Sequence, residues 1–169
     1  VAADLADTLA IFDLAKKHGT PVWSCSNLRY NAGVVKAATA DVGDVSAVLS
    51  YGPASLEKGH LDLAWYGIHA TEALYTVIGT GCQSVTRTHT EGTDVVTGLW
   101  EGGKVGTLLG LRASKTAYAV TVFGSKAVIT EAAGGGYPEL MAEMMKFFRT
   151  GEVPVSAEET IEIFAFLAA

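Results

Sequence analysis

The chain after residue 82 reads as a succession of short strands, and that limits the folds open to it. Residues 83–90 (QSVTRTHT) alternate Val85, Arg87 and His89 with Thr86, Thr88 and Thr90; stretches 94–101, 104–112, 118–123 and 127–131 follow at short intervals. Gly102-Gly103 reads as a two-residue hairpin turn, because glycine tolerates the positive φ such turns require. Gly124-Ser125-Lys126 turns the chain again. About five strands joined in this way make a meander. The earlier run 44–51 (DVSAVLSY), broken by Gly52-Pro53, adds a sixth. An antiparallel sheet can leave one face to solvent but must cover the other. The expected class is therefore α+β: an open, mainly antiparallel sheet with helices on one face, the other face mixed and suited to dimerisation.

The covering helices are legible. From about Gly67, the residues Ala70, Ala73, Leu74, Val77 and Ile78 recur at helical spacing and form one apolar stripe. Gly79 and Gly81 end it. His69, Glu72 and Thr76 share a neighbouring flank, so His69 stands in the first turn, beside a face committed to the core. Asp62, Trp65 and Tyr66 lie just upstream. Other helices are expected over 2–18 (Leu5, Leu9, Phe12 and Ala15 inward, Gly19 as cap), over 31–40, and from Pro138 with Leu140, Met144, Phe147 and Phe148 on its apolar side. A last helix follows Ser156 and Glu159, which form a capping box, and buries Ile161, Phe164 and Leu167 or their neighbours. Pro21–Cys25 is read as a short buried strand, which with the preceding helix makes one αβ step of a parallel sheet.

Several chemistries are set aside. A metal held by His60, His69 and Glu72 would rest on one short H-x-x-E with no Cys and no second pair, so no metal is expected. No G-x-S-x-G is present for a hydrolase nucleophile. Gly134-Gly135-Gly136 and Gly79-x-Gly81 lack the context of a phosphate loop; the triple glycine is read as a flexible connection. A net charge of −6 argues against nucleic acid. No run of eighteen apolar residues suggests a membrane span. Cys25 and Cys82 read as reduced, partly buried thiols. With 49% hydrophobic and 18% charged residues, some apolar surface is expected to meet another chain or another domain. The chain lacks an initiator Met and begins and ends within helical patterns; it is read as a fragment of a longer protein.

The order of motifs is informative. D-L-x-W-Y followed by G-I-H-x-x-E-x-L-Y-x-x-x-G (Asp62 to Gly79) resembles the C-terminal half of the glucose–fructose oxidoreductase, inositol dehydrogenase and MocA family (Gfo/Idh/MocA). Ser26-Asn27-Leu28-Arg29-Tyr30 resembles its N-x-R-Y/F stretch, and the run from Pro154 to Glu159 its P-x-S-x-E-E lead into the last helix. The resemblance covers nearly the whole chain. It implies that residues 1–26 are the end of a nucleotide-binding Rossmann domain, and that 27–169 form a substrate-binding and oligomerisation domain. It implies a cytoplasmic NAD- or NADP-dependent oxidoreductase acting on a sugar, cyclitol or related polyol, assembled as a homodimer or homotetramer through the sheet face. It further implies His69 as the general base, with Trp65 and Tyr66 offering substrate a flat face and a hydroxyl. Asp62 and Glu72 would orient substrate or His69. Arg29 and Tyr30 would lie at the cleft, with Asn27 and Arg29 toward the cofactor. The chain departs from the family where many members carry Asp four residues before the His; here that residue is Trp65, and the nearest acid is Asp62. The family's E-K-P or D-K-P would precede Val1, so the chain alone is not expected to hold a dinucleotide or turn over. The alternative is a non-catalytic α+β binding or dimerisation module.

Overall fold

The computed structural model describes residues 2, 4–60, 62–115 and 117–168, and the side chain of Asp62 lies outside the described residues. Helix α1 (Leu5–His18) starts where the Asp4 carboxylate accepts the Asp7 N–H at 2.8 Å, and it stops at Gly19, whose φ of 60° closes the last turn. Residues 20–26 join no strand of the sheet, so the strand expected at Pro21–Cys25 is not formed. The reason is physical: a strand exists by pairing, and the sheet offers this segment no neighbour. Trp23 instead packs edge-on against Phe147, with ring centroids 5.9 Å apart. A 3-10 turn (Asn27–Tyr30) and helix α2 (Ala32–Thr39, capped by the Asn31 side chain) lead into the sheet.

Strand β1 (Val45–Pro53) is followed by helix α3 (Gly67–Ile78), then by β2 (Cys82–Thr90), β3 (Thr93–Trp100), β4 (Val105–Leu111), β5 (Tyr118–Gly124) and β6 (Val128–Ala133). The order across the sheet is β2-β3-β4-β1-β5-β6. Six strands and a mainly antiparallel sheet agree with the sequence reading, but the simple meander does not. β1 inserts between β4 and β5, parallel to β4 (Ala47 opposite Val105, Pro53 opposite Leu111) and antiparallel to β5. Nor does Gly52-Pro53 break β1. Proline is tolerated because it takes the last position, after which the Ala54 N–H resumes bonding to the Leu111 carbonyl at 3.0 Å. The β3–β4 connection is also longer than the expected two-residue turn. Trp100 N–H bonds the Lys104 carbonyl at 2.8 Å around Glu101–Gly103, with φ of 77° at Gly102 and 84° at Gly103.

Helix α3 lies over the covered face, where Leu74, Val48, Val96, Leu108 and Val120 are fully buried. Each such side chain contributes roughly 1.5–3 kcal/mol by leaving water. Tyr75, Trp100 and Phe166 form an aromatic corner with centroids 5.5–6.0 Å apart, and the indole N–H of Trp100 donates to the Gly79 carbonyl at 2.9 Å. The opposite face keeps Leu99, Phe123 and Val128 exposed beside threonine pairs Thr97–Thr107 and Thr121–Thr130. Among the described residues no helix is long and apolar enough to cross a membrane.

Helix α4 (Tyr137–Thr150) contains no buried residue. Phe148, expected on its apolar side, is 71% exposed, with Met141 and Met145 also open. The triple glycine before it is not a loose connection. The Asn27 and Asn31 side-chain amides donate to the Gly135 and Gly134 carbonyls, and Gly136, at φ 87°, passes so close to the Asn27 carbonyl that a Cβ would meet it at 2.3 Å. In helix α5 (Ala157–Leu167) Ser156 accepts the Glu159 N–H at 3.1 Å, but the Glu159 carboxylate turns to Arg29 instead of completing the box. This helix buries Ile163, Phe164, Phe166 and Leu167, with Ile161 half-buried.

Gly52 of β1 lies under Tyr118: a Cβ there would stand 2.3–2.4 Å from the phenol ring. Gly52→Ala is expected to displace that ring and cost about 1–3 kcal/mol, the usual range for overpacking, as measured by urea unfolding.

Candidate active site

Three elements converge on His69: the first turn of α3, the segment entering the 3-10 turn at Asn27, and the start of β5. Ser26 Oγ lies 2.8 Å from His69 Nδ1. The imidazole stands edge-on to Tyr66 (5.5 Å between centroids) and to Tyr118 (6.2 Å). Trp65 continues from Tyr66 at 6.2 Å, and His60 lies against Trp65 at 4.7 Å. Trp65 and Tyr66 are 41% and 39% exposed, so the strip is an open shelf of rings with His69 at its inner end. Aromatic faces of this kind accept the C–H face of a ring while their polar edges bond hydroxyls. No described residue hydrogen-bonds His69 Nε2.

Burial lowers the pKa of His69 from its ordinary value. The imidazole is therefore neutral at neutral pH and able to accept a proton. The unfolded chain, with an ordinary His near 6.5, binds more protons than the folded one just below that pH, so stability rises with pH through this window. Wild-type protein is expected to lose stability as pH falls below about 6.5, and His69→Asn to lose correspondingly less; unfolding midpoints at mildly acidic and alkaline pH compare the two.

Glu72 does not orient His69. It is 3% exposed, and its Oε2 receives Arg29 Nε at 3.0 Å and Nη2 at 2.7 Å; the same Nη2 reaches Glu159 Oε1 at 2.6 Å. Burial raises the Glu72 carboxyl above its ordinary pKa, opposed by the guanidinium and by the Ser26 backbone N–H. This triad ties α3, the 3-10 turn and α5 together. Arg29, read from sequence as a cleft residue, is thus spent on carboxylates of its own chain. Asn27, read as a cofactor contact, has its amide on the Gly135 carbonyl. The Tyr30 hydroxyl is buried beside the Cys25 thiol. Asp62 remains outside the described side chains.

Two residues of the site escaped the sequence reading. Tyr118 opens a strand and looks like any sheet residue, yet it flanks His69; burial, then Tyr66 and Tyr137, push its phenol up to about 12. Ser26 was read only as part of a motif. Its proximity to His69 spans 43 residues of sequence, and no local pattern reports that.

A second buried carboxylate, Asp94, is fully enclosed and bound by Arg87 Nε, His89 Nδ1 and Arg112 Nη1 at 2.6–2.8 Å. Arg112 also holds the carbonyls of Ala54, Thr90 and Glu91, which makes this cluster a clamp on the turns at that end of the sheet.

Comparison with known proteins places the fold. No family model and no curated protein matches the sequence. In structure, the chain has the α+β fold of the C-terminal part of Gfo/Idh/MocA-type dehydrogenases. It superposes on a structure from Sinorhizobium meliloti 1021, provisionally assigned as a myo-inositol dehydrogenase, with a TM-score of 0.83 at 14% identity, covering 99% of this chain and 67% of that one. GenD2 from gentamicin A biosynthesis, in complex with NAD, gives 0.82 at 16% identity over 99% and 66%. The scyllo-inositol dehydrogenase of Lactobacillus casei, with bound NAD(H) and scyllo-inositol, gives 0.73 at 14% identity over 99% and 67%. The chain thus spans about two thirds of the length of these structures, and at such identities the likeness is one of fold.

Proposed function

We propose that this chain is the substrate-side and assembly part of an NAD- or NADP-dependent oxidoreductase that oxidises a hydroxyl-bearing carbon of a sugar, cyclitol or related polyol. Residues 1–26 are the end of its nucleotide-binding domain and 27–169 its substrate domain. The observation that carries the reading is His69: a neutral imidazole, bonded at Nδ1 to Ser26 and with no described residue bonded to Nε2, at the inner end of an open shelf of aromatic rings. The fold is shared with dehydrogenases of cyclitols, which supports the same substrate class. Substrate rests on Trp65 and Tyr66, and His69 Nε2 takes the hydroxyl proton. The nicotinamide cofactor supplies the hydride acceptor, bound chiefly by protein beyond this segment. The open sheet face joins copies of the chain into a homodimer or homotetramer, and the enzyme works in the cytoplasm.

The test is the intact protein, offered NAD or NADP with a panel of cyclitols, aldoses and sugar acids. Substrate-dependent formation of reduced nicotinamide is expected. A folded protein inert with every polyol favours the non-catalytic binding or dimerisation module.

A further inference from the structure

We propose that the aromatic shelf is a two-ring site. Its inner end takes the sugar or cyclitol ring presented to His69. Its outer end, Trp65 backed by His60, takes a second ring linked to the first, so the substrate is a disaccharide or a similar ring-bearing glycoside. The proposal rests on the reading of His69 as the reacting end of a polyol site. Four rings follow one another from the outer end inward: His60 lies 4.7 Å from Trp65, Trp65 lies 6.2 Å from Tyr66, and Tyr66 lies 5.5 Å from His69, all between centroids. Tyr118 closes the inner end, 6.2 Å from His69. A six-membered sugar ring is comparable in size to the phenol ring of Tyr66. Seated there with a hydroxyl at His69, it covers the inner rings and leaves Trp65 to whatever is attached to it.

The outer end is held in place by its surroundings. Leu63, two residues before Trp65, is fully buried beside Gly67 and Gly110, and Gly67 opens helix α3. The Trp65–Tyr66 pair is therefore fixed on both sides. His60 is brought back onto the indole by a turn in which its N–H donates to the Glu57 carbonyl at 3.2 Å, and the two rings meet at 34°. Although His60 backs it, Trp65 is still 41% exposed. An indole is among the largest apolar surfaces a chain can bury, and this one is left open beside a reacting group. The chemistry of the row selects the ligand. Aromatic faces take up the C–H faces of sugar rings, whereas a dense set of hydroxyls is matched by carboxylates and amides. The one carboxylate of α3, Glu72, is turned to Arg29. A single cyclitol at His69 leaves the outer rings bare; a second linked ring covers them.

The experiment compares matched ligands in the intact protein: methyl α-glucoside with maltose, methyl β-galactoside with lactose, and myo-inositol with galactinol. Steady-state kinetics with NAD and with NADP give kcat and KM for each. Calorimetry and indole fluorescence read binding of the same ligands without cofactor. In at least one pair the two-ring member is expected to exceed its one-ring parent by roughly fivefold to tenfold in kcat/KM, mainly through KM, the usual worth of one stacked ring. Trp65→Ala is expected to bring that ratio close to one, Trp65→Phe, which keeps a ring, to retain most of it, and His60→Ala to lower it in part; thermal melts check that each variant is folded. The proposal is overturned if no two-ring ligand is bound more tightly or turned over more efficiently than its parent, or if the preference survives in folded Trp65→Ala. Turnover of one-ring polyols without any such preference keeps the dehydrogenase reading and removes the second ring. Trp65-dependent binding of a two-ring saccharide with no reduced nicotinamide formed does the reverse, so the two failures are told apart.

Discussion

Replacing His69 by Asn in the intact protein is expected to lower kcat by about 10²–10⁴-fold, the usual contribution of a positioned general base, while the fold stays intact. Asn fills similar space and carries no charge, and the ring it replaces is only half-buried. Its partner Ser26 keeps its bond from the Leu28 N–H. A stability loss within about 1 kcal/mol is therefore expected, as for changes that leave no buried group unpaired. The loss should fall on kcat and on kcat/KM together, because proton transfer occurs only in the transition state. Steady-state kinetics beside a thermal melt decide the matter. Full activity in the variant removes His69 from the chemistry and turns the aromatic shelf into a binding surface.

The largest expected loss of stability is at Arg29. Its guanidinium is the only counter-charge that contacts Glu72 among the described residues, and the Glu72 side chain is 4% exposed. Arg29→Met is expected to cost about 3–5 kcal/mol, because it leaves a carboxylate enclosed without its partner. The effect carries a pH signature. Without the guanidinium, the folded-state pKa of Glu72 rises further above the unfolded value. The folded variant then binds more protons than the unfolded chain above about pH 4.3, the ordinary Glu pKa, and its stability falls as pH rises through that window. Converting Glu72 to Gln as well should recover most of the loss at neutral pH, since the buried charge is gone. Glu159 shares Arg29 but its side chain is 21% exposed, and Glu159→Gln should cost only about 0.2–1 kcal/mol. Urea unfolding of the single and double variants over a pH series measures each value, and an Arg29→Met protein as stable as wild type would show that the triad does not hold the elements together.

The strands, the helix over Gly67–Ile78 and the class of fold were legible because each rests on short-range periodicity. Alternation at two residues and recurrence at three to four are properties of neighbouring side chains. The cap at Ser156 is local for the same reason. His69 and the rings at 65 and 66 could be singled out because they crowd into a few positions. The strand order was not legible: β1 enters between β4 and β5 through pairings 50–80 residues apart, which depend on how two apolar edges complete one sheet. The strand expected at Pro21–Cys25 failed on the converse ground, since its local pattern was right and it had no partner. The same distinction governs the site. The sequence determined by itself that an imidazole would stand in the first turn of a helix beside a core, with aromatic rings just before it. Only the tertiary structure decided what that imidazole touches. It brought Ser26 to Nδ1 and Tyr118 to the ring face, and it drew Glu72 away to a guanidinium 43 residues distant. Hydrogen bonds and ion pairs act over about 3 Å, and which groups come within that reach is set by the packing of whole elements, which no local pattern encodes.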